Sequence, residues 1–159
     1  MKPSEAGGVR REAENQKTRT TRMRVGMRFT REARLTARSI TAFAKRAGDL
    51  NPLHHDPRYA RRSRFRGLIA SGTQTAALLM GLIATESAPF ALSLGLDFRF
   101  RFLAAARPGD RLTLEWRVTA VKPKRSLRGD LVNLAGSVRD ASGRQLLASR
   151  ATILASARP

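Results

Sequence analysis

From Leu92 to Phe102 the chain alternates without a break. Leu92, Leu94, Leu96, Phe98, Phe100 and Phe102 are apolar, and Ser93, Gly95, Asp97, Arg99 and Arg101 stand between them. A period of two is that of an extended strand, whose successive side chains point to opposite faces, so the segment reads as a strand with one apolar face. After a turn at Pro108-Gly109-Asp110 the period returns at Leu112, Leu114, Trp116 and Val118. Residues 131–138 and 146–155 read as two further strands, joined by a turn at 140–144. Strands separated by turns predict antiparallel pairing, and Trp116 is expected in the core or at an interface.

The first half carries the other period. Ile40, Phe43, Ala44 and Ala47 recur at i, i+3, i+4 and i+7, the stripe of an amphipathic helix. Thr36 is placed to cap its start and Gly48 to end it. A first strand is expected over residues 27–35 and a short helical piece near 57–61. Residues 71–85 read as a buried helix with Ala76, Ala77, Leu79, Met80 and Ile83 on its apolar face. Helices first and a meander after them predict an α+β domain whose sheet packs on the helix at 71–85.

With 159 residues the chain has the length of one domain with a sizeable core. No apolar run approaches the ~18 residues of a membrane span, and the opening M-K-P-S-E-A-G-G has no apolar signal region. Cysteine is absent, which excludes disulfides, thiolate metal sites and a cysteine nucleophile. A cytoplasmic protein is expected. Residues 1–26 are polar and basic and are expected to form a disordered arm ahead of a domain at 27–159.

The net charge is +19. Residues 1–38 carry +7 and the remainder +12, so the charge is not confined to a tail. Such a field attracts polyanions, from nucleic acid to phosphorylated small molecules. No helix-turn-helix, zinc-finger or aromatic RNA-binding pattern accompanies it, so no specific nucleic-acid partner is expected.

The chemistry concentrates in the stretch from Gly48 to Asp56, G-D-L-N-P-L-H-H-D. A carboxylate and an imidazole held near one water can serve as base and acid in a single addition or elimination. Asp49 and His54 are the candidate pair. Pro52 fixes its own φ and drives Asn51 toward an extended conformation, so the turn is stiff. Taken alone, Asp49 and Asn51-Pro52 are also ordinary turn chemistry. Asp56 reads as structural and His55 as solvent-facing. Two adjacent histidines without cysteine make a poor metal site, so no metal is expected. Ser71 is an N-cap candidate rather than a nucleophile, because no G-x-S-x-G elbow surrounds it. The basic loop R-R-S-R-F-R at 61–66 is a solvated face, or else a phosphate-binding one.

A strand, a helix ending in G-D-x-N-P-L-H, the G-L-I-A-S-G entry to a central helix and a long-stranded sheet containing R-P-G-D together resemble the MaoC-like dehydratases, or R-specific enoyl-CoA hydratases. The resemblance covers roughly residues 27–155. Asp49, Asn51, Pro52, Leu53, His54, Asp56 and Ala60 fall on that family's pattern. It implies the hot-dog fold, a sheet wrapped around a central helix. It further implies addition of water to a trans-2-enoyl-CoA to give a (3R)-3-hydroxyacyl-CoA, or the reverse, with coenzyme A thioester as substrate and no further cofactor. Carried over, Asp49 and His54 would hold the water, Asn51 would fix their geometry, and the Gly72 N–H would bind the enolate oxygen. Ser71, Gln74, Arg64 and Arg66 are the expected substrate contacts. Many relatives carry His-Gly where this chain has Ser71-Gly72, which bears on substrate identity more than on reaction class. A homodimer or higher homo-oligomer is expected. An acyl-CoA-binding protein without activity, a hot-dog thioesterase and a nucleic-acid binder are the alternatives.

Overall fold

The structure, a computed structural model, describes residues 23–157. Strand β1 (Arg28–Arg34) is followed by helix α1 (Ala37–Arg46), a 3₁₀ turn (Pro52–His54) and the short helix α2 (Pro57–Arg62). The central helix α3 (Gly72–Glu86) leads into β2 (Leu92–Phe102), β3 (Arg111–Lys124), β4 (Gly129–Arg139) and β5 (Gln145–Ser156). All five strands form one sheet, in the order β1-β3-β4-β5-β2, with every pairing antiparallel. The sheet wraps α3, the hot-dog arrangement that the resemblance implies.

The strands are not a simple meander. Only β3, β4 and β5 follow one another; β2 pairs with β5 at the far edge instead of with β3. Residues 1–22, most of the expected arm, lie outside the described residues. Its last part does not stand apart, because Met23 is fully buried and the Gly26 N–H donates to the Val118 carbonyl at 2.9 Å.

The core lies between α3 and the inner face of the sheet. Leu79, Leu82 and Ile83 of α3 meet Leu112, Leu114, Trp116 and Val118 of β3 and Val132, Leu134 and Val138 of β4. Each fully buried large side chain contributes about 1.5–3 kcal/mol. Trp116 is core: its indole N–H donates to the Leu79 carbonyl at 2.6 Å, tying sheet to helix. Directly across from it stands Gly136, where a Cβ would come within 2.5 Å of the indole ring. Helix α3 is less evenly buried than its sequence suggests. Ala77 and Met80, expected on the apolar face, are exposed, whereas Gln74 and Thr75 are buried.

The unbroken alternation of β2 conceals a change of face. A bulge between Gly95 and Asp97 shifts the register, so Leu94 pairs with Leu154 while Phe98 pairs with Ala151. An inserted residue moves everything beyond it to the opposite side. Phe98 and Phe100 therefore pack inward, with Phe98 edge-on to Trp116 at 6.1 Å. Leu92, Leu94 and Leu96 are left 55%, 60% and 49% exposed. No helix among the described residues is long and apolar enough to cross a membrane.

Candidate active site

Helix α1 positions the first candidate residue, Asp49. Thr36 caps it through a reciprocal exchange with Ser39, each side chain accepting from the other's backbone N–H at 3.0 Å. At its other end Gly48 takes a left-handed φ of +69°. The Gly48 N–H then bonds the Lys45 carbonyl at 3.2 Å and the Asp49 N–H the Ala44 carbonyl at 2.9 Å. This is the Schellman closure of a helix, and it fixes the backbone of Asp49.

The following turn aims the carboxylate. The Asn51 N–H donates to Asp49 Oδ1 at 3.0 Å, and the Asn51 side chain accepts from the Leu53 N–H at 3.1 Å. Asp49 Oδ2 is left facing His54 Nε2 at 3.4 Å. His54 is buried. Its Nδ1 meets the Ile69 carbonyl at 2.8 Å. A carbonyl only accepts, so Nδ1 carries a proton. In a neutral ring Nε2 then presents a lone pair, and two acceptors face each other across 3.4 Å. A water above them can donate one hydrogen to each at ordinary hydrogen-bond distance, ~2.8 Å.

Both neighbours of this pair are held as well. Thr41 donates to the His54 carbonyl at 2.9 Å. His55, expected to face solvent, is half-buried instead, with Nε2 on the Asp49 carbonyl at 2.5 Å. Asp56 is structural, as expected: its carboxylate caps α2, accepting from the Arg58 and Tyr59 N–H groups. Those bonds, Tyr59 foremost, hold its pKa below the ordinary carboxylate value of 3.8.

A cleft of about 530 Å³ opens over Asp49. Phe65, Ile69, Phe102 and Leu103 give it apolar walls, and Ser71, Gly72 and Thr73 bring the start of α3 to its floor. His54 is not among its lining residues and adjoins it through Asp49. Ser71 is the N-cap, its hydroxyl accepting from the Gln74 N–H at 3.3 Å. The Gly72 N–H lies in the first turn, where donors have no intrahelical acceptor and the helix dipole favours negative charge. A Cβ there would approach the Phe102 ring to 2.9 Å, so a larger residue would have to displace that exposed ring.

The structure gathers Asp49, Arg64, Ser71 and Gly72 around this cleft, with Asn51 and His54 supporting Asp49. It does not bring in the other two expected contacts. Gln74 is buried beneath α1, donating to the Ser39 carbonyl at 3.4 Å. Arg66 is exposed outside the cleft, in a left-handed turn with φ of 58°. Arg107, next to the cleft lining in sequence, braces it instead, its guanidinium donating to the carbonyl of the lining residue Phe65 at 2.7 Å. Neither Arg107 nor the Ile69 carbonyl could be singled out from sequence, since each matters through distant backbone. No group of three or more His, Asp or Glu side chains among the described residues is arranged to hold a metal.

The fold is the hot-dog fold, and comparison with known proteins narrows it. The model of the MaoC like domain matches residues 12–136. The chain is 33% identical over 100 residues to the (R)-specific enoyl-CoA hydratase of Aeromonas caviae, covering 63% of this chain and 74% of that one. It is 29% identical over 104 residues to the 3-hydroxybutyryl-CoA dehydratase of Methylorubrum extorquens, covering 65% of each. Among solved structures, the unliganded R-hydratase PhaJ1 from Pseudomonas aeruginosa superposes with a TM-score of 0.77 at 30% identity, over 86% of this chain and 84% of that one. The chain belongs to the MaoC-like domain family.

Proposed function

We propose that this protein is a hydro-lyase that adds water to a trans-2-enoyl-CoA to give the (3R)-3-hydroxyacyl-CoA, or runs the reverse. The observation that carries the reading is the approach of Asp49 Oδ2 and His54 Nε2 to 3.4 Å beside an apolar cleft. Water held by both directs its oxygen lone pair at the β-carbon of the bound enoyl group. As the C–O bond forms, the dyad takes one proton from the water and returns one to the α-carbon, ending in its starting charge state. Negative charge develops on the thioester oxygen, where the Gly72 N–H stabilises it. Asn51 holds Asp49 Oδ1 through its backbone N–H and thereby reserves Oδ2 for the water. Arg64 at the rim is suited to a coenzyme A phosphate.

We infer that the working unit is a homodimer. Strand β2 is a sheet edge with unpaired backbone groups, flanked by exposed Leu92, Leu94 and Leu96 on one side and Met80 of α3 on the other. Long apolar edges are ordinarily covered.

The deciding assay follows loss of the enoyl-thioester absorbance with crotonyl-CoA and a longer enoyl-CoA, beside Asp49→Asn. Turnover to a 3R product, abolished in the variant, is expected. Thioester binding without turnover would overturn the reading in favour of a binding protein, and release of free coenzyme A would make it a thioesterase.

A further inference from the structure

The face of the sheet turned away from α3 takes no part in the chemistry above. Arg28, Arg117, Ala135, Arg150 and Arg99 stand there in one row across β1, β3, β4, β5 and β2. Two sets of direct cross-strand neighbours are therefore alike in charge, Arg28 beside Arg117 and Arg150 beside Arg99. Like charges directly opposite each other destabilise a sheet. At the ends of the row carboxylates offset the cost: Arg28 meets Glu115 at 2.9 Å and Arg99 meets Asp97 at 3.4 Å. The inner two, Arg117 and Arg150, form no ion pair among the described residues. Only the methyl group of Ala135 lies between them.

These two arginines border a cleft of about 500 Å³ with Arg99, Thr119, Asn133 and Thr152. The bulges of β2 and β3, between Gly95 and Asp97 and between Val118 and Ala120, lie at its level in the sheet. Bulges bend strands and re-aim side chains. The Thr152 hydroxyl donates to Asn133 Oδ1 at 3.2 Å and the Thr119 hydroxyl to the Asn133 carbonyl at 3.1 Å. Both acceptors of Asn133 are thereby occupied, and its amide N–H donors remain. The cleft's carboxylate, Asp97, is engaged by Arg99. The cleft is thus rich in donors and in positive charge.

We propose that this cleft binds a phosphate-bearing small molecule of diphosphate size, at a site separate from the Asp49–His54 cleft. Guanidinium groups bind phosphate oxygens through two parallel hydrogen bonds. Arg117 and Arg150 are two strand spacings apart, roughly 9–10 Å at the backbone, so their long side chains can close over Ala135 on a ligand larger than a single phosphate.

The test is calorimetric titration of the full chain with inorganic pyrophosphate and with ADP, in moderate salt. One site per chain is expected, weakened at least tenfold in the Arg117→Ala/Arg150→Ala variant. The control Arg38→Ala/Arg58→Ala, on α1 and α2, removes the same charge and should change the affinity less than twofold. Thermal melts establish that both variants fold. An equal loss in the control would overturn the proposal, reducing the binding to net charge. So would absence of binding by either probe at millimolar concentration, or binding confined to a duplex oligonucleotide and lost steeply with salt.

Discussion

Asp49 is restrained at three points: its N–H by Ala44, its carbonyl by His55, and Oδ1 by Asn51. Asp49→Asn and His54→Asn should each lower kcat more than 10-fold, about 1.4 kcal/mol of transition-state stabilisation, with circular dichroism unchanged. A smaller loss would remove that residue from the mechanism. His55 does not face the reacting atoms and acts through Asp49, as a positioning residue. His55→Ala should lower kcat while leaving KM nearly unchanged, and His55→Gln, which keeps a donor, should recover part of the loss. A change confined to melting temperature would mean that His55 merely stabilises the turn. The residues of the dyad were legible in the sequence because G-D-x-N-P-L-H packs donors and acceptors into one stiff turn. The contacts that aim them, His54 on the Ile69 carbonyl and His55 on the Asp49 carbonyl, were not, because backbone acceptors leave no trace in residue type.

Single elements carry their own tests. Trp116 and Gly136 interlock across β3 and β4, so Gly136→Ala forces a methyl group into the indole ring. Overpacking of this kind costs about 1–3 kcal/mol, to be read as a lower urea midpoint. An unchanged midpoint would mean that the ring relaxes freely. At the start of α2 the folded state holds the Asp56 carboxyl below its ordinary pKa, so the ionised form is the one that stabilises. That contribution is present above the unfolded value of 3.8 and is lost as pH falls through the lower, folded value. Asp56→Ala should therefore melt earlier than wild type at neutral pH, and the gap should close in acid. A gap that stays constant down to pH 2 would contradict the assignment. Helix ends were readable because Thr36, Gly48 and Asp56 each have a local chemical reason to stand where they do. The face of β2 was not. A bulge leaves the hydrophobic pattern intact while turning Leu92, Leu94 and Leu96 outward and Phe98 and Phe100 inward, and only pairing with β5 reveals it.

At the scale of the molecule, the exposed β2 edge predicts self-association. Wild-type protein should sediment as a dimer, and Leu94→Asp should shift it toward monomer without loss of secondary structure. A wild-type monomer would place the covering of that edge elsewhere. The sequence separated helices from strands but not their spatial order, because antiparallel turns suggest neighbours whereas β2 crosses to the opposite edge. That crossing has a consequence for the order of events during synthesis. Phe102 faces Leu147 and Leu92 faces Ser156, so β2 has no partner strand until β5 begins to emerge, and its pairing is complete only at the last residue of β5. For that interval its leucines and phenylalanines lack a sheet, and collapse against α3 is the only shelter open to them. Folding is therefore slow to close, since distant pairings bear the entropy of loop closure before they are rewarded. A nascent chain stopped after Arg139 should be captured by chaperones or degraded, although it already contains the whole dyad.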